Sequence, residues 1–146
     1  MTTPAPVQPL FGDVLALARE SWVREMSRRL AHQGFNDYRR SDALALRWLV
    51  RTSLPLGAFT TTLGVSRQSA RKVASGLVER GFAHVNVDTN DSRRRNVELT
   101  ASGREYGRAV IDVIHAIDDE LRSKLDPASI DVARDVLSFV RDTFGP

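Results

Sequence analysis

Cysteine is absent from all 146 residues. That excludes a disulfide framework, a cysteine-type zinc finger and a thiol redox switch, so any signal the protein senses arrives by another route. No segment approaches the roughly 18 to 20 consecutive apolar residues that span a bilayer. Residues 1–9 carry no basic side chain and no apolar run of signal-peptide length, so the expectation is a soluble, cytoplasmic protein without a membrane partner. Catalytic signatures are missing too. There is no glycine-rich phosphate loop and no nucleophile elbow, and His32, His84 and His115 lack the spacing of a helical metal pair. The chain reads as a non-enzyme with no metal and no cofactor.

What is there is arginine, and it is unevenly placed. Net charge is only +3, and all but two of the 21 basic residues are Arg. Between Ser66 and Arg104, eight basic side chains (Arg67, Arg71, Lys72, Arg80, Arg93, Arg94, Arg95, Arg104) stand against Glu79, Asp88, Asp91 and Glu98, a balance of +4, whereas the rest of the chain balances at −1. A preference for Arg explains the residue type but not the clustering, and a localised basic face is the footprint of a polyanion site.

The length, with 42% hydrophobic residues, suits one compact core and a single domain over residues 1–146. Pro4, Pro6 and Pro9 make residues 1–9 a flexible arm. Phe11, Leu15, Ala18, Trp22, Met26 and Leu30 then recur at helical steps over residues 10–34. Such a helix spans on the order of 35 Å, more than a core of this size covers, so part of its stripe needs another surface. Ser41 reads as the N-cap of a second helix over 42–52 that buries Leu44, Trp48 and Leu49. Ser53, Leu54 and Pro55 break the chain before a short helix over 56–63, held by Leu56, Phe59 and Leu63 against poor intrinsic propensity.

Gly64 supplies a tight turn, Ser66 caps the next helix, and Gly81 ends it. Ala70, Val73, Ala74, Leu77 and Val78 form its apolar side, while Arg67, Gln68, Arg71, Lys72 and Ser75 form its polar side. The pattern predicts a two-stranded hairpin from strands over 82–87 and 95–99, joined by the turn residues Asn90, Asp91 and Ser92. Thr100 caps a long helix to about residue 125. Asp126 and Pro127 open a last helix whose stripe of Ile130, Ala133, Leu137, Val140 and Phe144 has a heptad-like period.

This order of parts resembles the MarR family of winged helix-turn-helix transcription regulators. The specific match is Asp88, Asp91, Arg93, Leu99, Thr100 and Gly103, together with residues 63–67 and 79–82; Thr89 and Ser92 stand where the family often has Pro and Gly. The resemblance implies a mainly α fold with a small β-hairpin wing. Residues 41–103 would form the DNA-binding region, and residues 10–34 and 104–146 the dimerisation helices. It further implies a homodimer on a pseudo-palindromic operator, recognition helices about 34 to 36 Å apart on double-stranded DNA, repression by default, and relief by a small aromatic or anionic effector where helices 1 and 2 meet the Tyr106 helix.

Candidate DNA-binding residues are Ser66, Gln68 and Ser69 for hydrogen bonds, and Arg67, Arg71 and Lys72 for charge, on the recognition helix. On the wing they are Arg93, Arg94 and Arg95, with one of the last two facing DNA, and Asp91 bracing the loop. A different reading makes the same basic face a protein-protein module for an acidic partner, with weak, sequence-independent DNA binding.

Overall fold

The computed structural model describes residues 7–145, so most of the expected arm lies outside the described residues. Helix α1 (Phe11–Ala31) opens with the Asp13 carboxylate accepting the Leu10 N–H at 2.9 Å. Helix α2 covers Asp42–Leu49, β1 Leu54–Pro55, a 3-10 turn Leu56–Ala58, α3 Phe59–Leu63 and α4 Arg67–Glu79. The hairpin is β2 (Ala83–Val87) and β3 (Arg95–Leu99), followed by α5 (Ala101–Lys124) and α6 (Pro127–Phe144). The architecture is mainly α with a small antiparallel sheet. Among the described residues, no helix is long and apolar enough to cross a membrane.

Four expectations need correction. The hairpin is part of a three-stranded sheet, in which β1 pairs with β3 through Leu54 opposite Val97 and Pro55 opposite Asn96. Two residues, one a proline, are too few to show a strand period. Ser41 makes no cap hydrogen bond; the Asp42 carboxylate instead accepts the Arg39 N–H at 3.1 Å, closing the turn from the next position. Helix α2 turns Ala45, Leu46 and Leu49 inward and leaves Leu44 and Trp48 exposed, Trp48 by 43%. Val78 likewise lies on the exposed side of α4.

Asp126 precedes α6 without a side-chain cap hydrogen bond, while Pro127 opens that helix as expected. Gly64 has the positive φ of 61° that its turn requires. Ser66 accepts the Ser69 N–H at 3.2 Å, and Thr100 accepts the Gly103 N–H at 3.0 Å. Helix α4 ends with the Phe82 N–H on the Leu77 carbonyl and the Gly81 N–H on that of Val78, Gly81 being at φ 76°. At Gly103 a Cβ would fall 1.8 Å from the Phe82 carbonyl oxygen, so only glycine lets the start of α5 lie against the end of α4.

The core gathers Met26 and Leu30 of α1, Leu46 of α2, Phe59 of α3, Leu77 of α4, Val97 of β3, and Tyr106 and Val110 of α5. At its centre is a charge. Asp42 is 1% exposed and accepts hydrogen bonds from both terminal nitrogens of Arg80, at 2.7 and 2.8 Å, and from the Tyr106 hydroxyl at 2.8 Å. Arg80 also donates to the carbonyls of Gly76 and Asp37, both at 2.9 Å. Burial and the Asp42 charge push the Tyr106 hydroxyl well above the usual tyrosine range, so it remains a donor. Phe82 stacks on the Tyr106 ring with centroids 4.4 Å apart.

A second region is not buried at all. No residue of α6 is buried: Phe139 is 67% exposed, and Val132, Val136, Leu137 and Phe144 also face outward. At the other end of the chain Leu10, Phe11, Val14 and Leu17 are exposed on the first turns of α1.

Removing a buried partner leaves an uncompensated charge, whereas removing a hydroxyl leaves the ion pair intact. Asp42→Ala is therefore expected to lose about 3–5 kcal/mol of unfolding free energy, and Tyr106→Phe about 1.5–3 kcal/mol, in urea titrations read by circular dichroism. Losses below about 1 kcal/mol for both would show that the carboxylate does not hold the helices together.

Candidate nucleic-acid interface

Helix α4 presents its polar side outward because its apolar positions are taken by the core. Arg67, Gln68, Ser69, Arg71 and Lys72 are all exposed on its first two turns. Ser66 is committed locally: its oxygen caps the helix, and its hydroxyl donates to the Ser69 hydroxyl at 3.0 Å. The polar residues border two clefts, with Arg67 and Arg71 common to both. Arg67 and Arg71 share a cleft of about 620 Å³ with Arg93, Arg94 and Arg95 of the wing. Arg67, Gln68, Arg71 and Lys72 line the second cleft, of about 610 Å³, with Arg39.

The wing brings its three arginines to one place. Sequence alternation predicted that only one of Arg94 and Arg95 turns toward the helix, yet both line the same cleft. Arg94 lies in the loop, where pleat alternation does not apply, and Arg95 is the first residue of β3. Strand β2 is at the sheet edge and β3 at its centre, and Val85 and Val87 are exposed although they lie on the same face as buried Val97.

Asp91 is bonded within the loop. Its carboxylate accepts the Arg93 N–H at 3.0 Å, and its carbonyl accepts the Arg94 N–H at 2.9 Å. The larger share falls to Asp88, which was not among the wing-structuring candidates. Its carboxylate accepts the backbone N–H groups of Asn90 at 2.7 Å and Asp91 at 3.2 Å, and the Asn96 side-chain amide at 3.0 Å. These bonds, led by that from Asn90, hold its carboxyl below the usual carboxylate range. A signal was present: an Asp followed by turn residues is the usual Asx arrangement.

The basic face in space is not the basic segment in sequence. Arg80, counted with that segment, is 10% exposed and neutralised by Asp42. Arg104 donates to the Leu99 carbonyl at 2.9 Å. In their place Arg39 joins from the segment between α1 and α2. His84 stands 3.5 Å from Glu98 on the outer side of the sheet, and among the described residues no cluster of His, Asp and Glu has the arrangement of a metal site.

The expected effector region around Tyr106 offers no cavity to that side chain, which is buried and bonded to Asp42. A cleft of about 600 Å³ opens instead between α1 and α4, lined by Arg19, Trp22, Tyr38, Arg40, Ser69 and Lys72 among others. Burial, followed by the nearby Asp42 charge, pushes the Tyr38 hydroxyl up to about 12, so it stays a hydrogen-bond donor.

No family model matches the chain. It spans about half the length of the first curated relatives it matches: an uncharacterized protein of Mycobacterium tuberculosis is 31% identical over 75 residues, 51% of this chain and 52% of that protein. The transcriptional repressor MprA of Escherichia coli is 27% identical over 127 residues, 86% of this chain and 72% of the repressor. Among solved structures, the PcaV transcriptional regulator from Streptomyces coelicolor, in complex with its natural ligand, superposes with a TM-score of 0.76 at 20% identity over 95% of this chain and 98% of that one. A MepR–DNA complex from Staphylococcus aureus gives 0.77 at 16% identity over 93% and 99%. The chain thus has the fold of winged-helix transcriptional regulators over nearly its whole length, as the resemblance to the MarR family implies.

The Arg93 side chain is exposed, and its backbone rather than its guanidinium is tied to Asp91. Arg93→Ala is expected to weaken DNA binding at least tenfold, a loss of about 1.4 kcal/mol, with an unchanged thermal melt. Equal affinity in fluorescence anisotropy would remove the wing from the interface.

Proposed function

We propose that the chain is a homodimeric, MarR-type DNA-binding repressor that recognises a pseudo-palindromic site and is relieved by a small aromatic or anionic effector. The observation that carries the DNA reading is the shared cleft of Arg67 and Arg71 with Arg93, Arg94 and Arg95. A helix with cationic and amide donors on its first turns suits the major groove, and an adjoining arginine-tipped hairpin suits the neighbouring minor groove or backbone. Arginine is weakly hydrated and delocalised, so it enters a narrow, negative groove at lower cost than lysine.

Support for the dimer comes from apolar surface. An 18-residue helix with no buried residue, together with the exposed Leu10, Phe11, Val14 and Leu17 of α1, is a face that water alone covers poorly. A second copy of the same chain supplies a matching surface by symmetry. For the effector, the cleft between α1 and α4 pairs the aromatic walls of Trp22 and Tyr38 with the cations Arg19, Arg40 and Lys72. Its volume falls within the range of small-molecule sites, about 300–1,000 Å³. A ligand held there engages Lys72 and Ser69 of α4 itself, which gives it a route to lower DNA affinity.

Anisotropy titrations against DNA upstream of the chain's own gene, and against a scrambled duplex, at two salt concentrations test the reading. A regulator prefers its site by a factor of roughly 10³ or more. A ratio near one, with binding that vanishes at the higher salt, would instead favour a module for an acidic protein partner.

A further inference from the structure

We propose that Arg39 and Arg40 form a second phosphate clamp, on the flank of α4 opposite the wing, so that the DNA backbone is held on both sides of the recognition helix. This rests on the DNA-binding reading above and extends it to residues outside the helix-and-wing segment. Arg67 and Arg71 face the wing arginines on one flank of α4. Arg67 and Arg71 also border the adjoining cleft, whose far side is lined by Arg39 with Lys72 and Gly76, and both Arg39 and Arg40 line the next. The recognition helix is therefore the floor of a trough with two cationic walls. A helix lying in a major groove about 12 Å wide has a phosphate strand on each side, and a wing reaches only one of them.

The second wall is held in place as a preformed contact should be. The Asp42 carboxylate fixes the Arg39 backbone N–H at 3.1 Å, and Arg80 donates to the Asp37 carbonyl at 2.9 Å, so the segment is tied to the end of α4. Gly76 leaves room on the helix for the Arg39 guanidinium: a Cβ there would stand 3.1 Å from Nη1. Arg39 pairs only loosely with Asp37, at 3.5 Å with both side chains at least half exposed, and Arg40 is exposed. Both guanidinium groups are thus available to phosphate.

A phosphate contact has a signature distinct from base reading. Each one adds about 0.9 to the slope of log affinity against log salt, equally for specific and non-specific duplex. In anisotropy titrations across several salt concentrations, Arg39→Ala/Arg40→Ala removes two contacts from each protomer and is expected to lower the slope of the bound dimer by about 3.6 and to keep the ratio of specific to non-specific affinity within about threefold. The variant should melt as the unmodified protein does, because Asp42 holds the Arg39 backbone and not its side chain. Arg39→Lys/Arg40→Lys, which keeps the charge, should recover the slope. An unchanged slope overturns the clamp, as does a collapse of the ratio at constant slope, which would mark base reading. Failure of the unmodified protein to prefer any duplex is a separate result: it overturns the regulator reading, and the clamp with it.

Discussion

The buried carboxylate of Asp42 is the constraint on which the arrangement depends. An acid that is 1% exposed is tolerated only when its oxygens are satisfied, and here the satisfying groups come from the end of α4, the second turn of α5 and the turn before α2. Helix α4 therefore has a set position relative to α5. A well-packed apolar trio of the same volume could be as stable, so the value of the charge lies in directionality: Arg80 forks onto both carboxylate oxygens, which fixes orientation as well as contact. Anything that shifts α5 or the Asp37 to Asp42 turn acts on the recognition helix through these bonds.

The surface proposed to face DNA is assembled on that frame from three parts of the chain. Helix α4 contributes side chains from a rigid element, and the wing contributes arginines whose loop is held by Asp88 and Asp91 rather than by the core. The segment between α1 and α2 contributes Arg39, resting over Gly76. One arginine of the basic segment, Arg80, is spent on internal structure. The surface charge is thus set by which guanidinium groups find internal carboxylates, and a count along the chain misplaces both Arg80 and Arg39.

Signals confined to a few neighbouring residues were legible in the sequence. Ser66 and Thr100 cap helices, Gly64 and Gly81 turn the backbone through positive φ, and Asn90, Asp91 and Ser92 sit in the wing turn. Partnerships across long sequence separations were not. Nothing near Asp42 in the sequence marks it as a buried acid, because Arg80 and Tyr106 lie 38 and 64 residues away. Leu54 and Pro55 read as a break because a two-residue strand has no period of its own. Leu44 and Trp48 were assigned to the core on apolar character alone, although helix α2 turns Ala45, Leu46 and Leu49 inward. For α6 the sequence showed an apolar stripe, and the structure shows that among the described residues none of its members is buried, Ile130 and Val140 being only partly covered.

Both the reading face and the uncovered helices bear on one claim, that the chain reads DNA as half of a symmetric pair. Selection of bound duplexes from a random pool by the unmodified protein, followed by sequencing, tests it most directly. The account predicts enrichment of inverted repeats whose half-sites are centred about 10 base pairs, or a multiple of one helical turn, apart. Enrichment of single half-sites, or no enrichment above the starting pool, would contradict it.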